Sequence, residues 1–200
     1  MISHLIFDLG GVIVELRGPP VLPQWADDQG SVEQMWEKWL TSDAPRAFES
    51  GQIGEAEFSS RVVEELSLNI SATEFIDYFR MLPIGPYSGA IELLQSLRPL
   101  YTTALFSNSN PMHWHRKMNE MHLGSAFDHH FASHLMGLVK PDEEAFTYVL
   151  KALGVPASDV LFFDDNQLNV DAALAAGMQS QRVCGIDALR NALQEKGIGT

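Results

Sequence analysis

Short apolar runs recur along the chain at 4–8 (HLIFD), 102–107 (TTALFS), 129–133 (HHFAS), 160–164 (VLFFD) and 181–184 (QRVC). Such runs, bounded by polar residues and alternating with segments of helical period, are the pattern of a parallel sheet buried between helices. The spacing predicts helices over 88–98, opening at Ser88 and stopping before Pro99, and over 142–153. The second puts Phe146, Val149, Leu150 and Leu153 on one face, with Gly154 as its stop. Two more are expected at 167–176, ended by Gly177, and at 187–196, from Asp187 to Gly197.

Residues 17–83 break the alternation. Pro19, Pro20 and Pro23 open the region, PIGP (83–86) closes it, and everything between has helical period. SVEQMWEKWL begins with a capping box (Ser31, Gln34) and carries apolar residues at 32, 35, 36, 39 and 40. Residues 55–66 align Phe58, Val62 and Leu66, and 71–82 start at a second capping box (Ser71, Glu74). The expectation is a core of 1–16 and 84–200 with a helical insertion over 17–83, joined through two hinges.

A chain of 200 residues, 46% of them hydrophobic, can build such a core with a small insertion. Its formal charge of −13, from 26 acids against 13 bases, repels nucleic acid and anionic membranes. A small anionic substrate therefore needs a local cation. The apolar start has no basic leader, so it reads as a strand and not as a signal, and a cytoplasmic monomer or homodimer is expected. The lone Cys184 excludes an internal disulfide and, in its apolar run, reads as a packing residue.

In an open parallel sheet, ligands collect at the carboxyl ends of the strands. Three runs end there in polar residues: Asp8, Ser107-Asn108 and Asp164-Asp165, while Lys140 (GLVKP) lies in a loop before a helix. Taken singly, a strand-end aspartate also caps turns, Ser-Asn is ordinary turn chemistry, and a lysine before proline is commonly solvated. The adjacent pair Asp164-Asp165 needs a compensating cation or lysine. Three aspartates and a lysine at one sheet edge describe a hard-cation site that favours magnesium.

The order FDLGGV (7–12), LFSNSN, GLVKP and FFDDNQLNVDAALAAGM resembles the four motifs of the haloacid dehalogenase superfamily, and FESGQIGEAEF (48–58) resembles the cap of its phosphatase branch. The resemblance implies a Rossmann-like three-layer α/β/α core with a small α-helical cap inserted after the first strand. It also implies a Mg2+-dependent phosphatase acting on a small phosphorylated metabolite. Asp8 would be the nucleophile that forms an aspartyl-phosphate. Magnesium would sit between Asp8, the carbonyl of Gly10 and Asp165, with Asp164 at or just behind the ion. Ser107 and Asn108 would hold the phosphoryl oxygens, Lys140 would neutralise them, and Asn169 would support the last loop.

The chain departs from that pattern at Gly10, where the family's proton-donating aspartate is missing. General acid–base help is worth about 10² to 10⁴ in rate, so an ester with an acidic alcohol, such as a sugar 1-phosphate, is expected to be favoured. A branch of the superfamily with this glycine resembles the chain and includes sugar-1-phosphate phosphatases. Two other functions fit the same fold: a metal-independent 2-haloacid dehalogenase, which does not need both Asp164 and Asp165, and a protein that binds a phosphorylated ligand without turning it over. His115 and His122 share a face if 111–122 is one helix, but no carboxylate or cysteine completes a zinc set. His113 borders the Ser-Asn motif and reads as an exposed loop residue with a secondary chance to aid the leaving group. Trp25 is the aromatic expected to stack on a sugar.

Overall fold

A computed structural model of the chain describes residues 1–26 and 31–199. Its strands are β1 (His4–Phe7), β2 (Val14–Leu16), β3 (Pro83–Pro86), β4 (Thr102–Ser107), β5 (His129–Ala132), β6 (Val160–Asp164) and β7 (Gln179–Arg182). The main sheet is five-stranded, in the order β5-β4-β1-β6-β7, and every pairing in it is parallel.

Ahead of the second half of the sheet come α1 (Val32–Thr41), α2 (Asp43–Glu49), α3 (Glu55–Glu65) and α4 (Ala72–Arg80). Then follow α5 (Ala90–Leu97), α6 (Pro111–His115), α7 (Ser133–Met136), α8 (Glu143–Leu153), α9 (Gln167–Ala175) and α10 (Gly185–Glu195). Strand periodicity builds the three layers. Leu5 and Phe7 of β1 point into a cluster with Leu93, Leu94, Leu189 and Leu193 of α5 and α10. Ile6, between them, points the other way, toward Phe146, Val149 and Ala173 of α8 and α9. The expected Rossmann-like α/β/α core is therefore present.

The helical cap has an aromatic cluster of its own, built from Trp39, Phe48, Phe58, Phe75 and Phe79. Phe48 and Phe58 stack with ring centroids 4.1 Å apart. Both predicted capping boxes form, at Ser31–Gln34 and Ser71–Glu74. The side chain of Val32, expected on the apolar face of α1, lies outside the described residues. Helix α2 has no counterpart among the expected helices: it is short, and Glu65 of α3 caps it by accepting from Asp43 N (2.7 Å) and Ala44 N (2.8 Å). Next to the proline-rich joints, β2 and β3 pair antiparallel into a two-stranded ribbon.

Three further expectations are corrected. The last strand is Gln179–Arg182, two residues earlier than the apolar run suggested, and Cys184 is an exposed residue at the start of α10. The segment from Pro111 is not one helix: α6 passes into a π-helical turn at Arg116–Glu120, and His122 follows in the left-handed region with φ 57°. His115 and His122 thus share no helix face. His113 is buried, 5% exposed, and not a solvated loop residue.

Candidate active site

Register brings the acidic residues together. Phe7 pairs with Phe163 on one side and Leu105 on the other, so the next residues along, Asp8, Asp164 and the Ser107 end of β4, meet at one edge. The backbone N–H of Asp8 donates to Phe163 O at 2.8 Å. Immediately after β1 the chain turns tightly, with Val14 N–H donating to Leu9 O at 2.6 Å. Gly11 sits in that turn at φ 72°, and a Cβ there would collide with the Asp165 carboxylate. Its carbonyl is taken by Gly185 N–H at 2.7 Å, whereas no hydrogen bond reaches the Gly10 carbonyl among the described residues.

Lys140 is the centre of the site. Its ammonium donates to Asp8 Oδ1 (2.9 Å), Asp164 Oδ2 (2.6 Å) and Phe106 O (2.9 Å), which uses all three of its protons. Burial alone would lower this lysine, but the carboxylates of Asp164 and Asp8 outweigh it and push it up to about 12. Asn108 fixes the backbone from which Lys140 projects: its Nδ2 donates to Lys140 O and its Oδ1 accepts from Lys140 N–H, both at 2.9 Å. Ser107 Oγ donates to Asn108 O at 3.2 Å.

Asp164 is buried, and burial together with Asp8 works to raise its carboxyl. Every bond it makes is nevertheless as an acceptor, from Lys140, from Asn166 N–H (2.8 Å) and from Asn169 Nδ2 (3.0 and 3.1 Å). That donor set calls for the carboxylate form. Asn169, expected to support the loop, does so by holding both oxygens of Asp164.

Asp8, Asp164 and Asp165 each place an oxygen within 4.8 Å of the others. One lysine cannot neutralise three carboxylates, and the excess falls on Asp165, whose carboxyl is pushed up to about 8 by burial and by Asp164 and Asp8. An all-oxygen donor set with surplus negative charge fits a hard divalent cation. The residues present therefore suit magnesium, and the free Gly10 carbonyl adds a further oxygen.

Sequence reasoning missed two charged residues of the cavity. Glu49, at the end of α2, and Lys117, in the π-helical turn, line it beside Asp8, Lys140 and Asp165. Burial lowers the Lys117 ammonium, and no hydrogen bond or ion pair to it is found among the described residues. The aromatics at the cavity are Trp36, Trp39 and Phe79, with the imidazole of His113. Trp25 instead packs edge-on against Tyr78, with centroids 4.9 Å apart, away from the cavity lining. His113 lines the cavity, but both ring nitrogens are occupied: Nε2 donates to Phe79 O at 2.7 Å and Nδ1 accepts from Asn110 Nδ2 at 3.2 Å. Burial, with Lys117 nearby, lowers it to about 3, so it stays neutral, with its one N–H engaged by Phe79 O.

The chain resembles the sesquiterpene phosphatase astK of Aspergillus oryzae, 30% identical over 86% of this chain and 85% of that one. It is 23% identical to a D-ribitol-5-phosphate phosphatase of Bacteroides thetaiotaomicron over 90% and 91% of the two chains. Its fold matches that of a haloacid dehalogenase-family enzyme from the same bacterium, crystallised with magnesium and inorganic phosphate, with TM-score 0.69, 24% identity and coverage of 92% and 94%. The haloacid dehalogenase-like hydrolase family model matches residues 2–177. That match spans most of the chain, and the chain belongs to the haloacid dehalogenase-like hydrolases.

Proposed function

We propose that the chain is a magnesium-dependent phosphatase that hydrolyses a small phosphorylated metabolite through an aspartyl-phosphate on Asp8. The observation that carries this reading is the Lys140 ammonium held between Asp8 and Asp164, with Asp165 completing a three-carboxylate cation site. Phosphatases among the relatives, and magnesium with phosphate in the related Bacteroides crystal, support it.

Lys140 holds Asp8 Oδ1, which leaves Oδ2 for in-line attack on phosphorus. Ser107 Oγ and the backbone N–H of Asn108 receive phosphoryl oxygens, and Lys117 adds a second positive charge. Asp8, Asp165 and the Gly10 carbonyl would hold magnesium, with Asp164 behind them; the ion supplies charge neutralisation for the phosphoryl group. The cap covers the cavity, its Trp36, Trp39 and Glu49 excluding bulk water. Retention of both Asp164 and Asp165 favours this reading over metal-independent dehalogenation.

Gly10 offers no proton to the leaving oxygen. Either the alcohol is acidic, as in a sugar 1-phosphate, or another residue supplies the proton. A phosphatase screen with and without magnesium, comparing sugar 1-phosphates with sugar 6-phosphates, tests the function. Phosphate release that needs magnesium and disappears in Asp8→Asn is expected. Halide release from 2-haloacids without magnesium would overturn the reading.

A further inference from the structure

Apart from Asp8 itself, the protonatable side chains lining the cavity among the described residues are Glu49, His113, Lys117, Lys140 and Asp165. Lys140 has no proton to spare, Lys117 is the second positive charge for the phosphoryl group, Asp165 belongs to the cation site, and both nitrogens of His113 are bound to the protein. Glu49 is different. Its Oε1 accepts a long bond from Trp39 Nε1 at 3.4 Å, and no bond to Oε2 is found among the described residues. Oε2 is also absent from the solvent-sealed, unpartnered polar atoms, so it opens on the cavity that Asp8 lines.

Two contacts hold the Glu49 end of the cap against the core. Gly51, two residues on, takes φ 77°, and a Cβ there would come 2.9 Å from His134 O, so only glycine lets the end of α2 approach α7 this closely. On the same helix Arg46 pairs with Asp142 at 2.5 Å, two residues from Lys140. These contacts tie the Glu49 end of the cap to the loop that carries Lys140.

We propose that Glu49, reaching in from the cap, is the catalytic acid and base that Gly10 cannot be. The inference rests on the phosphatase reading. As Asp8 Oδ2 bonds to phosphorus and the P–O bond to the alcohol breaks, Glu49 transfers its proton to the departing oxygen. The Glu49 carboxylate then takes a proton from water as that water attacks the aspartyl-phosphate. The P–O bond to Asp8 breaks, and protonated Glu49 is restored with inorganic phosphate as product. Burial pushes the Glu49 carboxyl up to about 7, opposed by Trp39 N–H, Lys117 and Lys140 and reinforced by Asp8, which suits a group that must both give and take a proton near neutrality. A cap-borne acid also widens the substrate class beyond sugar 1-phosphates to esters of ordinary alcohols, of which ribitol 5-phosphate, named in a relative, is one.

The test is a leaving-group series, from p-nitrophenyl phosphate to glycerol 3-phosphate, on wild type, Glu49→Gln and Glu49→Asp with magnesium. Gln keeps the acceptor for Trp39, so the fold is retained. The expected result is a loss of about 10² to 10⁴ on glycerol 3-phosphate in Glu49→Gln. Release of the first equivalent of p-nitrophenolate should fall less than ten-fold, followed by slow turnover, and Glu49→Asp should recover part of the alkyl-ester activity. Adding Gly10→Asp to Glu49→Gln should restore alkyl-ester hydrolysis. An equal loss across the series, or no loss, overturns the role. In the wild type alone, a steep dependence of rate on alcohol acidity does the same. Failure of the wild type to release phosphate from any ester would remove the phosphatase reading itself, an outcome distinct from these.

Discussion

Lys140 Nζ lies 2.6 Å from Asp164 Oδ2, and both side chains are 1% exposed. The pair is a buried one that Asp8 shares, and breaking it strands two carboxylates in the interior. Lys140→Ala is expected to cost about 3–5 kcal/mol of stability, as for other broken buried pairs, and to abolish activity. Urea unfolding measures the first; magnesium should recover part of the loss by replacing the missing charge.

The stability that Asp165 contributes to the metal-free protein should be lost as pH rises. Asp165 has a folded-state carboxyl raised to about 8 from an ordinary 3.8, so the folded form binds the extra proton between those values. Its contribution is complete below about pH 4 and is lost as pH climbs through 8. Magnesium favours the carboxylate and should flatten this slope. Melting temperatures at pH 5, 6, 7 and 8, with magnesium and with chelator, check it; parallel curves would contradict it.

The two glycines after Leu9 should behave differently. Gly11→Ala forces a side chain into φ 72° and against Asp165, so it should weaken magnesium binding and cost roughly 1–3 kcal/mol. At Gly10 a Cβ would meet only the end of the Leu16 side chain, at 3.3 Å. Gly10→Ala should therefore fold and bind magnesium nearly as the parent does, as calorimetric titration would measure.

Lys117 has a cost and a use. Lys117→Met removes a buried ammonium that has no partner among the described residues, and hydrophobic replacement of buried charge is neutral or stabilising by about 1–4 kcal/mol. The same change should weaken phosphate inhibition and raise KM. Thermal melts and inhibition by inorganic phosphate together test this pairing of gained stability with lost binding.

Asn108→Ala should act through Lys140. Losing both bonds to the Lys140 backbone removes roughly 1–3 kcal/mol of support and lets the ammonium drift from Asp8. A fall in kcat larger than the rise in KM is expected from steady-state kinetics.

Much of the site was legible because its parts are local. An apolar run ending in Asp8, Ser107 or Asp164-Asp165 announces both a buried strand and the polar group at its end, and parallel pairing then puts those ends on one edge. Lys140 could be named, but its burial could not, because a lysine before proline looks solvated until the carboxylates around it are placed. Glu49 and Lys117 were hidden for another reason. Lys117 sits in a stretch that reads as one ordinary helix, Glu49 ends a short helix with no counterpart among the expected ones, and nothing there marks either charge as inward-facing. The π-helical turn at Arg116–Glu120 and the close approach of Gly51 to His134 turn these residues toward the cavity. The buried runs and the polar residues that end them follow from hydrophobic period along the chain, whereas the order of the strands comes from their pairing. The facing of cap and core, and with it the candidate proton carrier, depends on contacts between segments such as Arg46 with Asp142, which sequence separation conceals and only packing brings together.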